Sequence, residues 1–201
     1  MATIARECLQ HRIAATADIV ISDRPGVAGL TTAQDLGIPT QVVPWKAAAD
    51  RAAFELALGR AIDSCDPDLV VLAGFMRVLS GELVERYAGR MLNIHPSLLP
   101  NYRGLHTHRR VLEARDRIHG ASVHFVTAEL DGGPVILQSQ IPVKSADTEA
   151  ELAARVQVTE HVIYPRVIGW VADRRLQWNG GQPLLDGKPL REPVVESFDV
   201  G

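Results

Sequence analysis

Cysteine is nearly absent from this chain: Cys8 and Cys65 are the only two in 201 residues, and neither stands in a Cys-x-x-Cys or Cys/His ligand spacing. That excludes a disulfide framework and the usual structural zinc sites, and it points to a reducing compartment, the cytoplasm. No run of eighteen apolar residues occurs, and Met1 opens on a short polar-apolar pattern with no basic stretch before it. Neither a transmembrane helix nor a secretory signal is therefore expected. A basic surplus is missing as well: 21 Lys and Arg face 24 Asp and Glu, a formal net charge of -3, and the basic residues are dispersed. Nucleic-acid binding lacks its cationic stripe. Repeats and low-complexity linkers are also missing. What remains is a chain 46% hydrophobic and 22% charged, long enough to bury a core as one globular domain acting on small molecules.

The order of its patterns is helix then strand. Residues 2–10 have helical spacing and 17–21 form a short apolar strand. A turn at Pro25-Gly26 leads to a helix over 27–36 closed by Gly37, then to a strand at 40–43. A longer helix over 50–65 precedes the apolar run 68–74, which reads as a central parallel strand covered on both faces. A helix at 80–87, a strand at 91–95, a proline-punctuated loop at 96–100 and a helix at 105–115 complete an α/β doubly wound pattern. After Gly120 the pattern changes. Residues 121–127 and 135–143 read as an antiparallel pair at the sheet edge, joined by a turn at 131–134. A long helix over 148–171, with a bend expected at Pro165, and a tail from 175 to 201 forming a weak hairpin plus loop complete the chain.

Ligands of an open parallel sheet sit beyond the carboxyl ends of its strands. At one such end, the strand period of two places Asn93 and His95 on one face. An amide donor and an imidazole converging on one atom suit acyl transfer, where a tetrahedral intermediate carries a developing oxyanion. Either residue alone reads more readily as structural, Asn93 capping a turn and His95 satisfied beside Pro96. Asp131, ahead of two glycines and a proline, is either an ordinary turn residue or a carboxylate delivered to His95, where it would favour the charged imidazole and relay a proton through water. His106 and His108 lack the i, i+4 spacing of two ligands on one helical face, so no metal site is expected. His124 reads as pocket-lining or as a hydrogen-bonded core histidine. Gln157 and Glu160 share a helical face whose plain reading is solvated surface.

Five ordered motifs, LVVLAGFMR at 69–77, LNIHPSLLP at 92–100, GLHTH at 104–108, SVHFV at 122–126 and ELDGGPVI at 129–136, closely resemble the phosphoribosylglycinamide formyltransferase family, and the likeness continues through RVQVTEHVIYP at 155–165. The resemblance implies a formyltransferase-like fold: doubly wound, a mostly parallel twisted sheet with helices on both faces and an antiparallel edge, as a single domain 1–201 with a core of 1–171 and a tail of 172–201. It implies metal-free transfer of a formyl group from 10-formyltetrahydrofolate to the amine of glycinamide ribonucleotide, in purine synthesis. By that likeness Asn93 and His95 hold the formyl oxygen, His95 donates a proton and Asp131 raises its pKa. Met76, Arg77, Val78, Leu79, Asn93, Thr127, Ala128, Glu129, Leu130 and Asp131 enclose the folate, and Arg51 meets it too. Pro96, Gln157, Val158, Thr159 and Glu160 take the ribonucleotide, reversing the surface reading of Gln157 and Glu160. Membrane partners are not implied, and a homodimer is left open.

Family members begin with an apolar strand and a Gly-Ser-Gly-Ser-Asn-like loop that holds the substrate phosphate at a helix start, and Met1 aligns just after it. One expectation is that the codons ahead of Met1 encode that strand and loop. The other is that the short form is real, and it is then unstable or poor at binding phosphate. Formyltetrahydrofolate hydrolases and transferases acting on a sugar amine or an aminoacyl-tRNA share the Asn-x-His-Pro and Asp-loop motifs, whereas GLHTH points to the glycinamide branch. A folate- or nucleotide-binding remnant without catalysis is the rival from another class, and the intact Asn93, His95 and Asp131 speak against it.

Overall fold

Three helix starts are fixed by side chains that take up backbone N–H groups left free in a first turn. Asp50 accepts from the Ala53 amide ahead of a helix at Arg51–Asp63, and Ser80 accepts from Leu83 ahead of one at Gly81–Arg86. Thr148 and Glu151 form a reciprocal capping box ahead of Glu149–Ala172, which runs on through Pro165. The computed structural model describes residues 1–200 and divides into two compact units, Met1–Val70 and Val71–Gly201.

The first unit contains α1 (Ala2–Leu9), β1 (Val20–Ser22), α2 (Ala28–Asp35), β2 (Thr40–Val42), a 3-10 turn (Trp45–Ala47) that the sequence did not announce, and α3 (Arg51–Asp63). β1 and β2 pair in parallel, Val20 opposite Thr40 and Ser22 opposite Val42, across the α2 connection. Ala5 of α1 and Ala33 of α2 cluster with Ile38, and Met1, Ala17, Val20 and Leu36 pack against them.

The second unit begins with β3 (Val70–Leu72), which straddles the boundary, and continues through α4 (Gly81–Arg86), β4 (Met91–His95), α5 (Thr107–Ala114), β5 (Ile118–Phe125), β6 (Val135–Pro142) and α6 (Glu149–Ala172) to β7 (Leu176–Asn179), β8 (Gln182–Leu185), β9 (Lys188–Pro189) and β10 (Val194–Ser197). Its main sheet has the order β10-β6-β5-β4-β3. β3 and β4 are neighbours joined through α4, the connection of a βαβ unit. β4, β5 and β6 run antiparallel in sequence, and β10 returns parallel to β6. No helix among the described residues is long and apolar enough to cross a membrane.

α6 lays Leu152, Val156, Ile163 and Val167 toward the core at helical spacing, all fully buried. Each such side chain contributes about 1.5–3 kcal/mol of hydrophobic stabilisation. Tyr164 of the same helix brings its phenol oxygen within 2.9 Å of the Leu72 and Leu92 carbonyls, tying the end of β3 to β4 just ahead of Asn93. Burial pushes that phenol's pKa well up, so it stays a hydrogen-bond donor.

The α/β reading holds, and three local expectations are corrected. The antiparallel pair is not the sheet edge, because β10 covers β6; Val194 and Val195 are too short a signal to announce a strand. The run 68–74, read as a central strand, yields β3 at the end of the five-strand order, its residues only half-buried. A Val-Val-Leu run records apolarity, not which neighbours a strand finds, and among the described residues none pairs with its far edge. The tail is more ordered than a hairpin plus loop: β7, β8 and β9 form an antiparallel ribbon whose Trp178 packs tilted against Phe125, ring centroids 4.7 Å apart. Arg155 of α6 secures the chain end by donating to the Val200 and Pro142 carbonyls and pairing with Asp147 at 2.6 Å.

Gly120 in β5 is required by close approach, since a Cβ there would lie 1.7 Å from the Ser139 carbonyl oxygen of β6. Gly120→Ala is therefore expected to destabilise the protein by about 1–3 kcal/mol, the cost of overpacking a buried site. Denaturant unfolding of the two proteins checks this; an unchanged midpoint would show that the two strands can part without cost.

Candidate active site

The site starts from the register of β4 against β5. Asn93 stands opposite His124 and His95 opposite Ser122, so two residues of one strand face share their surroundings with a histidine from the next. Asn93 Nδ2 donates to His124 Nε2 at 3.2 Å, and His124 Nδ1 donates to the Phe125 carbonyl at 2.8 Å. A carbonyl can only accept, so His124 carries its proton on Nδ1 and offers the Nε2 lone pair to the amide. Burial lowers the His124 pKa, in keeping with a neutral ring. The amide of Asn93 is thereby fixed: flipping it would set its oxygen against that lone pair.

His95 is held from both sides. Its Nε2 donates to the Tyr102 carbonyl at 2.9 Å, and its Nδ1 lies 3.5 Å from Asp131 Oδ2. The backbone amide of Gly104 donates to the same carboxylate oxygen at 2.9 Å, and the other oxygen lies 3.9 Å from His124 Nε2. The His95 and Asp131 side chains are 8% and 9% exposed, so water would screen little of the attraction between the carboxylate and a protonated ring. At 3.5 Å the contact is an ion-pair distance rather than a short hydrogen bond. Asp131 reaches this position from a turn in which it has φ +47°, and a Cβ on Gly133 would lie 1.9 Å from the Phe125 carbonyl oxygen. The second glycine is what lets the turn close against the end of β5.

The other expected residues fall into distinct settings. Met76 and Val78 are exposed, at 71% and 56%, while Leu79 is buried. Arg77 lies among them. Segment 127–131 carries Thr127, Ala128, Glu129 and an exposed Leu130, with Glu129 paired to Arg103. A Cβ on Gly81 would sit 3.5 Å from the Ala128 Cβ, which brings the segment after 76–79 alongside this loop. Pro96 follows His95 directly and is half-buried. On α6, Gln157 and Val158 are exposed, whereas the Thr159 hydroxyl is spent inside the core on Ser139 and the Val156 carbonyl. Glu160 is half-buried, and burial raises its carboxyl pKa. Arg51 belongs to the first unit, where its Nε meets Glu55 at 2.9 Å.

Sequence reasoning left His124 open between pocket and core, from the alternation of SVHFV, and missed Tyr102 and Gly104, which act through backbone atoms and carried no signal. His108 and His119 form a separate pair, Nδ1 to Nε2 at 3.0 Å. Among the described residues no group of three or more His, Cys, Asp or Glu could hold a metal ion. Chemically, the cluster offers one oriented amide donor, an imidazole whose two nitrogens both face acceptors, and a carboxylate within reach of both histidines. That is equipment for stabilising an oxyanion and moving a proton beside it.

Residues 1–168 match the family model described as formyl transferase. The phosphoribosylglycinamide formyltransferase of Escherichia coli (strain K12) is 52% identical over 183 residues, covering 91% of this chain and 86% of that protein. The enzyme of the same name from Haemophilus influenzae is 41% identical over 188 residues, covering 94% and 89%. Among solved structures, the phosphoribosylglycinamide formyltransferase of Coxiella burnetii in complex with CHES superposes with a TM-score of 0.91 at 45% identity, covering 96% of this chain and 92% of that one.

Burial pushes His119 from the ordinary 6.5 down to about 4, with His108 adding repulsion, and it lowers His108 and His124 as well. The unfolded chain takes up these protons near the ordinary value while the folded one resists. Stability is thus full above about pH 6.5 and is lost as the pH falls toward 4. His119 alone accounts for roughly 3 kcal/mol of that loss at about 1.4 kcal/mol per pH unit. Urea unfolding between pH 7.5 and pH 4.5 should show a shallower pH slope for His119→Gln than for the parent; parallel slopes would contradict it.

Proposed function

The chain belongs to the formyl transferase family, and from that premise we propose that it transfers the formyl group of 10-formyltetrahydrofolate to the amine of glycinamide ribonucleotide. The observation that carries this reading is the assembly of Asn93, His95 and Asp131, with His124 and the Tyr102 carbonyl holding the first two in place. The amine attacks the formyl carbon and a tetrahedral intermediate forms. Its oxygen takes a hydrogen bond from the second N–H of Asn93 and one from protonated His95. When the intermediate collapses, the bond from carbon to the folate N10 breaks. N10 gains a proton and the former amine loses one, so charge and protons balance.

Asp131 lies within reach of both histidines, suited to hold the proton-bearing His95 in place and to relay the departing proton through water. Met76, Val78 and Leu130 present apolar surface that suits the flat faces of a pterin, flanked by Arg77, Leu79, Thr127, Ala128 and Glu129. Gln157, Val158 and Glu160 on α6, with Pro96, are assigned to the ribonucleotide. Arg51 is assigned to the folate. Thr159 contributes packing beneath its neighbours, since its hydroxyl is engaged in the core.

The test is release of deformylated folate with and without glycinamide ribonucleotide. Acceptor-dependent turnover is expected. Asn93→Ala and His95→Ala are each expected to lower kcat by about 10²- to 10³-fold, the usual cost of removing one oxyanion donor. Turnover independent of the acceptor would assign a hydrolase instead, and none at all would contradict the transferase reading.

A further inference from the structure

Tyr102 adopts a left-handed backbone conformation, φ +56°, which a non-glycine residue enters only at a cost of about 1–2 kcal/mol. Its side chain is anchored at two points. The phenol O–H donates to Asp116 Oδ2 at 2.6 Å, and the Arg110 guanidinium lies 5.1 Å from the ring centroid while donating to the neighbouring Arg103 carbonyl at 2.7 Å. The product of this strained, anchored geometry is a carbonyl 2.9 Å from His95 Nε2. Two residues on, the same loop gives the Gly104 amide to Asp131. A strained residue held by its own side chain, with its backbone aimed at the reactive histidine, asks for a role in that histidine's chemistry.

We propose that Tyr102 is a positioning residue: its Asp116-anchored ring holds its carbonyl on His95 Nε2, which fixes the neutral imidazole as the Nε2–H tautomer and reserves Nδ1 for the reacting proton. The inference rests on the proposed formyl transfer for the meaning of that proton, but the tautomer itself does not depend on turnover. A neutral ring donating from Nε2 can accept only at Nδ1, on the side facing Asp131. Without the carbonyl the two tautomers would compete, and part of the enzyme would present the wrong nitrogen.

Nitrogen-15 labelling of the histidines, with His95→Gln to assign the His95 signals, reads which ring nitrogen carries the proton, at a pH where the His95 signals have stopped shifting. In the parent His95 should be the Nε2–H form. In Tyr102→Phe and Asp116→Ala a mixture should appear, and kcat should fall about 3- to 10-fold, the worth of one neutral hydrogen bond, with KM for both substrates changed less than 2-fold. Asp116→Asn keeps an acceptor and should restore most of both readouts. Unchanged His124 signals report an intact fold in each variant. An Nδ1–H form in the parent, or a tautomer indifferent to both Tyr102→Phe and Asp116→Ala, would overturn the proposal. Should no variant transfer formyl, the tautomer still decides this inference separately from the function.

Discussion

The site depends on a register. β4 and β5 are aligned so that Asn93 meets His124 and His95 meets Ser122, and a slip of one residue would turn every one of those side chains to the opposite face of the sheet. Burial enforces the alignment: Leu92, Val123 and Phe125 are all but inaccessible, so a slipped pairing would set Ser122 and His124 among apolar neighbours and strip them of their hydrogen-bond partners. The geometry of the candidate site is thus a by-product of packing. The orientation of the Asn93 amide is already selected by the His124 ring, itself fixed by the Phe125 carbonyl.

Around that register, the loops are held by polar groups with every bond accounted for. Ser122 accepts from the Leu99 amide and from Gln138 while donating to the Ser97 carbonyl, and Gln138 also donates to the Leu99 carbonyl. No buried side-chain nitrogen or oxygen among the described residues lacks a partner. A fully satisfied network rigidifies what it touches, and what it touches is the loop that begins at Pro96 and carries Tyr102 and Gly104. Two left-handed residues, Tyr102 and Asp131, supply the carbonyl and the carboxylate to the two nitrogens of one imidazole. Their strain is sustained from outside their own turns: Asp116 and Arg110 hold the Tyr102 ring, and the Gly104 amide holds the Asp131 carboxylate.

Much of this was legible in the chain. The alternation of helices and strands follows from apolar spacing, and Asn93 with His95 follows from the period of a strand. Asp131 was readable as a turn residue, and the motif order gave it a partner. His124 was ambiguous because its meaning lies in a pairing between strands 31 residues apart, which local pattern does not carry. Tyr102 was invisible because a tyrosine in the left-handed region has no sequence signature, and its contribution is a backbone atom. The place of β3 at a sheet end and the return of β10 failed for a related reason: apolarity says that a strand is buried, and only the assembled sheet says beside what.

The central claim is that His124 works by orienting Asn93, so the two form one unit. A double-mutant cycle on the single-turnover rate of formyl transfer tests it most directly, using Asn93→Ala, His124→Ala and the pair. The account predicts that His124→Ala slows the parent yet adds almost nothing in the Asn93→Ala background, a coupling of about 1 kcal/mol or more. Additive effects of the two substitutions would contradict it.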